Sequence, residues 1–127
     1  MLFRSIRGIG IDVADIERFR RLVARGGERF VDKWFAPAEI DRCSRHTDPG
    51  AAYAEHYAAK EAVWKALGPR AWDGPLPWRS IIVMGEQGDV VLEGRAAHLA
   101  GDTASMTVRV SVARLGEVVI ATSTISD

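Results

Sequence analysis

The spacing of apolar positions changes along the chain, and each change marks an element. From Ile6 to Val13 apolar residues are interleaved with glycine and charge, Ile-Arg-Gly-Ile-Gly-Ile-Asp-Val. That pattern predicts a short, largely buried strand that another backbone or a ligand approaches closely. Asp15 is placed to cap a helix in which Ile16, Phe19, Leu22 and Val23 recur at three- and four-residue spacing until Gly26-Gly27 ends it. Phe30 to Phe35 and Pro37 to Cys43 read as two short helical pieces, and Thr47-Asp48-Pro49-Gly50 breaks the chain. Ala51 to Leu67 carries seven alanines and no Gly or Pro, with almost its whole circumference apolar or small, which predicts the most buried helix. Gly68-Pro69 stops it, and Arg70 to Trp78 is an irregular loop.

The period then returns to two. Ser80–Met84 and Asp89–Glu93 flank Gly85-Glu86-Gln87-Gly88, and Met106–Ala113 and Val118–Ile125 flank Leu115-Gly116-Glu117, which gives two hairpins. Arg95 to Ala100 supplies one or two helical turns between them. One strand, then helices, then four strands predicts an α+β fold whose mostly antiparallel sheet packs on the long central helix. A length of 127 residues suits a single domain over 1–127 with a core of its own.

Composition narrows the function more than the fold. Lys plus Arg and Asp plus Glu each number 17, so the chain lacks the basic excess of a general nucleic-acid binder. The neutrality is a sum of opposites, with 10 basic against 7 acidic residues in 1–45 and the reverse imbalance after it. Arg18, Arg21 and Arg25 lie at i, i+3 and i+7, a basic stripe along the first helix. A lone Cys43 excludes an internal disulfide and fits a reducing, cytoplasmic location. No apolar run is long enough for a membrane span.

Two segments carry candidate chemistry. Gly8-Ile9-Gly10-Ile11-Asp12 ends a strand on a carboxylate that is costly to bury unless a cation or hydrogen-bond donors meet it, although Asp12 capping the next helix explains it as well. In Lys60-Glu61-Ala62-Val63-Trp64-Lys65, Glu61 and Lys65 stand one helical turn apart and project to one side. Such pairs are commonly ordinary surface pairs. Here, with Lys60, they lie in an alanine-rich, nearly apolar helix, which favours charges at a cleft. Asp12 and Glu61 with the two lysines suit a hard cation such as Mg²⁺ shared with a ligand's phosphates, the lysines neutralising phosphate oxygens. The Gly-x-x-x-x-Gly-Lys-Ser/Thr loop and the third glycine of a dinucleotide fingerprint are both absent.

Gly-Ile-Gly-Ile-Asp followed by Glu-Arg-Phe, and Tyr-Ala-Ala-Lys-Glu-Ala-x-x-Lys-Ala-Leu-Gly further on, together resemble the holo-acyl-carrier-protein synthase family of 4′-phosphopantetheinyl transferases. The resemblance covers nearly the whole chain. It implies a small α+β unit assembling into a homotrimer with active sites between subunits. The activity it implies is transfer of phosphopantetheine from coenzyme A to a serine of an acyl carrier protein, releasing adenosine 3′,5′-bisphosphate. Position by position, Asp12 and Glu61 match Mg²⁺ ligands and Lys65 matches a lysine on the coenzyme A phosphates. Arg18 matches an arginine that meets the carrier protein, and Arg21 and Arg25 extend that basic face toward an acidic partner. Glu61, through a metal-bound water, is the candidate acceptor of the serine proton.

Three departures change the expected coenzyme A pocket. His56 stands where the family has Arg five residues before the glutamate, and Ser111-Val112-Ala113-Arg114 replaces Ser-x-Ser-His. Gly68-Pro69-Arg70 and a Trp72-Asp73-Gly74-Pro75 loop replace Gly-Thr-Gly. His and Arg have traded places, which keeps a cation near the nucleotide phosphates if His56 and Arg114 are neighbours in space. The expected coenzyme A contacts are therefore Lys65, His56, Arg114, Lys60 and Gly68. A homologue that binds coenzyme A or a carrier protein as a scaffold, with little turnover, is the alternative, and an unrelated α+β interaction protein is a third.

Overall fold

Ile6–Asp15 forms strand β1, and its exposure alternates along its second half as a two-residue period requires. The structure is a computed structural model and describes residues 5–68, 74–84, 88–101 and 106–127. After β1 come helices α1 (Ile16–Trp34), α2 (Pro37–Ser44) and α3 (Pro49–Leu67) and a 3₁₀ turn over Trp78–Ser80. Strands β2 (Ile81–Met84) and β3 (Asp89–Leu92), helix α4 (Gly94–Ala100), and strands β4 (Thr107–Leu115) and β5 (Val118–Ser126) complete the order.

The five strands form one sheet in the order β1-β5-β4-β3-β2, and every pairing is antiparallel. The predicted α+β architecture is therefore the observed one. Helix α3 lies across β1, β5 and β4. Phe19, Phe35, Val119 and Ala121 gather with Tyr53 of α3 in one buried cluster, and Ile81, Val83 and Val110 gather with Val63 of the same helix in a second.

Two expectations are corrected and one is met. The strand predicted to be largely buried is covered on one face only: Ile9, Ile11 and Val13 are 67%, 57% and 61% exposed. Its glycines face the helix instead, because a Cβ on Gly8 or Gly10 would stand 1.9 Å from the carbonyl oxygen of Ala66 or Ala62. The close approach anticipated at the glycines is thus made by a backbone. The expected break at Gly26-Gly27 is present: Gly27 leaves helical geometry (φ 52°, ψ −138°) and separates two helical pieces within the α1 range. Asp48-Pro49-Gly50 begins a helix rather than breaking the chain. The Asp48 carboxylate accepts from the Ala51 amide, and proline sits in the first turn, where no amide donor is needed.

Candidate functional site

Close packing of α3 on the glycine face of β1 brings the two motif segments together. Asp12 lies on the helix-facing side of β1 and is 9% exposed. It does not cap α1; the Asp15 carboxylate accepts from the Glu17 amide and fills that role. Asp12 Oδ1 accepts from Lys65 Nζ at 3.0 Å, and Lys65 also donates to the Ile11 carbonyl at 3.1 Å. Oδ2 is buried with no hydrogen-bond donor. Its neighbour is a second carboxyl group, Glu61, whose proton affinity is raised by burial and by the nearby Asp12 carboxylate and is drawn back by a hydrogen bond from Tyr57. Tyr57 Oη donates to Glu61 Oε1 at 2.9 Å.

Two neighbouring carboxyl groups, one of them with a buried oxygen that no donor meets, fit a divalent cation. Among the described residues no third His, Cys, Asp or Glu joins them. A cation there would keep coordination positions for water and ligand oxygens, the habit of Mg²⁺ rather than of a fully caged ion.

Lys60 departs from its expected role. Its side chain is wholly buried and donates to Glu39 Oε1, to the Trp78 carbonyl at 2.7 Å and to the Ile81 carbonyl at 2.6 Å. All three ammonium protons are used inside the core, so Lys60 is no coenzyme A contact. Helical geometry explains the miss: one residue rotates the side chain about 100°, so adjacent charges leave α3 in different directions.

A cavity of about 570 Å³ opens on the opposite flank of α3, over β4. His56 and Glu61 are five residues apart, which turns them about 140° from each other around the axis. His56 and Arg114 both line this cavity, with Arg42, His46, Glu55 and Ser111. The two exchanged residues therefore share one cleft. They do not share the charge equally. His56 Nδ1 lies 3.0 Å from the Ala52 carbonyl, which assigns the proton to that nitrogen and leaves Nε2 as a buried acceptor with no partner. Burial lowers the affinity of the ring for a second proton. Positive charge in the cavity thus comes from Arg114 and Arg42. Cys43, 3.5 Å from His56, is fully buried, and burial pushes its thiol up to about 12, so it is no nucleophile.

Arg18, Arg21 and Arg25 are exposed along α1, and among the described residues none is held in an ion pair. Arg20, in the same run, contacts Asp48, Glu117 and Glu17 at 2.7, 2.7 and 3.2 Å and fastens α1 to the start of α3 and to the β4–β5 turn. Gly68 closes α3 in the left-handed conformation at φ 66°. Pro69, Arg70, Trp72 and Asp73 of the altered loop lie outside the described residues, as do Gly85, Glu86 and Gln87 of the first hairpin turn. Sequence reasoning missed Tyr57, although its four-residue spacing from Glu61 was readable, and Arg42 and Glu55, for which no local signal exists.

A family model described as the 4′-phosphopantetheinyl transferase superfamily matches residues 8–122. A holo-[acyl-carrier-protein] synthase of Geobacter sulfurreducens is 34% identical over 119 residues, covering 91% of this chain and 94% of that protein. Among solved structures, the holo-[acyl-carrier-protein] synthase of Neisseria meningitidis is similar with a TM-score of 0.81 at 23% identity, over 97% of this chain and 99% of that one. That of Helicobacter pylori, in complex with coenzyme A, gives 0.73 at 24% identity over 92% and 98%. The two structural likenesses concern the fold.

Proposed function

The chain belongs to the 4′-phosphopantetheinyl transferase superfamily, and from that premise we propose that it moves the phosphopantetheine arm of coenzyme A onto a serine of an acyl carrier protein. The observation that carries the site assignment is the buried, donorless Oδ2 of Asp12 beside the Glu61 carboxyl. Asp12 and Glu61 are the residues to hold Mg²⁺. When bound, the ion supplies charge neutralisation to the reacting diphosphate. Lys65, on a flexible, half-exposed stem beside the pair, adds a positive charge to the diphosphate oxygens.

In the step itself, the serine oxygen bonds to the phosphorus that carries pantetheine, and the bond from that phosphorus to the bridging oxygen breaks. Adenosine 3′,5′-bisphosphate leaves with the bridging oxygen. The serine proton passes to Glu61, the carboxyl group beside the reacting diphosphate. Arg114 and Arg42 in the cavity are the cations for the nucleotide phosphates, with the His56 acceptor nitrogen available to a donor on the ligand.

The cavity and the carboxyl pair face away from each other across α3, which supports sites completed by a second copy of the chain. So does the sheet face turned from the helices, where Ile9, Ile11, Val13, Leu115, Val118 and Ile120 are exposed. We assign that face to the homotrimer interface. The exposed stripe of Arg18, Arg21 and Arg25 is the docking face for an acidic carrier protein. Among the described residues no helix is long and apolar enough to cross a membrane, and the free Cys43 fits a reducing compartment, which we take to be the cytoplasm.

Incubation with coenzyme A, Mg²⁺ and an apo carrier protein tests the reading. The carrier protein gains the mass of phosphopantetheine, and the gain stops when a chelator removes the divalent ion. Absence of the gain with several carrier proteins, despite coenzyme A binding, refutes it.

A further inference from the structure

Resting on the reading of Asp12 and Glu61 as a cation-binding pair, we propose that Tyr57 is a positioning residue for that pair, its phenol holding Glu61 against Asp12 rather than against Lys65. Glu61 has a partner one turn away in each direction on the same side of α3, Tyr57 at i−4 and Lys65 at i+4. A Glu61–Lys65 pair is the arrangement that this spacing ordinarily produces. It is not the one found. Glu61 Oε1 accepts from Tyr57 Oη at 2.9 Å, while Lys65 turns to Asp12 Oδ1 and the Ile11 carbonyl.

The tyrosine can impose this choice because its own ring is held on several sides. Phe19 stands 4.9 Å from it between ring centroids, Trp34 5.5 Å in an edge contact, and Trp78 6.1 Å. A phenol oxygen at the end of a ring packed in this way has little freedom to follow the carboxylate. The glutamate, with three side-chain torsions and a partly open setting, follows the phenol. One oxygen of Glu61 is thereby committed to Tyr57, which keeps the carboxyl group beside Asp12. Phe19 and Trp34 belong to α1 and Trp78 to the 3₁₀ turn, so the aromatic cluster ties the geometry of the pair to two elements that contribute no charge to it.

Tyr57→Phe removes the hydroxyl and keeps the ring. Mn²⁺ serves as the probe, its binding to the whole chain followed by electron paramagnetic resonance without coenzyme A, with wild type and Asp12→Ala as references. Wild type binds, Asp12→Ala loses binding, and Tyr57→Phe binds about three- to tenfold more weakly, the scale of one lost hydrogen bond. Its melting temperature stays at the wild-type value. The Mg²⁺ concentration that half-saturates turnover rises by the same factor, while the Michaelis constant for the carrier protein stays fixed. If Tyr57→Phe binds Mn²⁺ as wild type does while Asp12→Ala fails to bind, Tyr57 only packs and the inference is overturned with the cation site intact. If wild type and Asp12→Ala bind alike, the cation site falls and the inference with it.

Discussion

Lys60 and Glu61 are consecutive residues of α3, and they end in opposite kinds of environment. Lys60 points inward to Glu39, and nothing there is left open: the ammonium makes three hydrogen bonds, and Glu39 also accepts from the amides of Ala36 and Val83. The group ties together α2, α3, β2 and the 3₁₀ turn. Glu61 points to the edge of the sheet, where Asp12 keeps one buried oxygen without a donor and Lys65 is half exposed. Both places hold a lysine and buried carboxyl oxygen, and both look alike in the sequence. What separates them is satisfaction. A closed set of hydrogen bonds holds a fold, whereas an unsatisfied buried carboxylate is maintained at a cost that only a ligand removes.

Substitution at the open pair gives the largest expected effect. Asp12→Ala or Glu61→Ala lowers turnover on the order of 10³-fold or more, the scale of losing charge stabilisation at a phosphoryl centre. The melting temperature of Asp12→Ala holds or rises, because the orphaned oxygen goes too. Carrier-protein mass gain and thermal unfolding, measured on the same samples, check both halves. At the closed pair the order reverses. Lys60→Met leaves Glu39 buried without its cation and costs about 3–5 kcal/mol of stability. Adding Glu39→Leu recovers most of that loss, since an apolar pair of similar volume replaces the ion pair. Denaturant unfolding of the single and double variants decides it. A double variant no more stable than the single one would show that the Glu39 hydrogen bonds to Ala36 and Val83, not the pair itself, hold the region.

Much of this was legible before the structure and some could not be. The strand and helix periods located every strand and α-helix but not the 3₁₀ turn at Trp78–Ser80, and Asp12, Glu61 and Lys65 were singled out by charge in apolar settings. The failures share a cause. Whether Ile9, Ile11 and Val13 or the intervening glycines face the helix depends on which side α3 docks, and a two-residue period marks two faces without saying which one is covered. Lys60 was misassigned because its partner Glu39 lies 21 residues away, beyond any helical spacing. The cavity joins α2, α3 and β4, so Arg42 and Glu55 had nothing local to announce them.

His56 stands between the two extremes and gives a smaller effect. One ring nitrogen is satisfied by the Ala52 carbonyl and the other is not. Burial lowers its pKa below the ordinary 6.5, with Lys60 and Arg42 lowering it further while the Ala52 carbonyl and Glu39 oppose. The unfolded chain therefore takes up a proton, as pH falls through the mid-sixes, that the folded chain refuses. Stability drops with falling pH in that window, by at most about 1.4 kcal/mol per pH unit for one proton, and the slope ends once the folded ring also protonates. Above about pH 7 both states are neutral and the effect vanishes. His56→Gln flattens the slope between pH 7 and 5 relative to wild type. Denaturant unfolding at a series of pH values measures it, and equal slopes for the two proteins would mean that the ring titrates as it does in water.

The same contrast extends to the surface of α1, with the smallest expected effect. Arg20 is satisfied by three carboxylates, while Arg18, Arg21 and Arg25, on the same helix, keep their charges in solvent. An exposed guanidinium without a partner adds little to stability, so Arg21→Glu with Arg25→Glu leaves the melting temperature nearly unchanged. If the stripe docks an acidic carrier protein, the double reversal raises the Michaelis constant for that protein several-fold at low salt and leaves the constant for coenzyme A alone. Added salt shrinks the difference, because screening removes what the charges contributed to encounter. Arg20→Glu behaves in the opposite way: it places a fourth carboxylate among Asp48, Glu117 and Glu17, and the loss appears in stability. Steady-state kinetics at two ionic strengths, beside thermal unfolding of both variants, separates a docking charge from a fastening one. A carrier-protein constant that ignores the reversal at Arg21 and Arg25 would return the stripe to ordinary solvated helix surface.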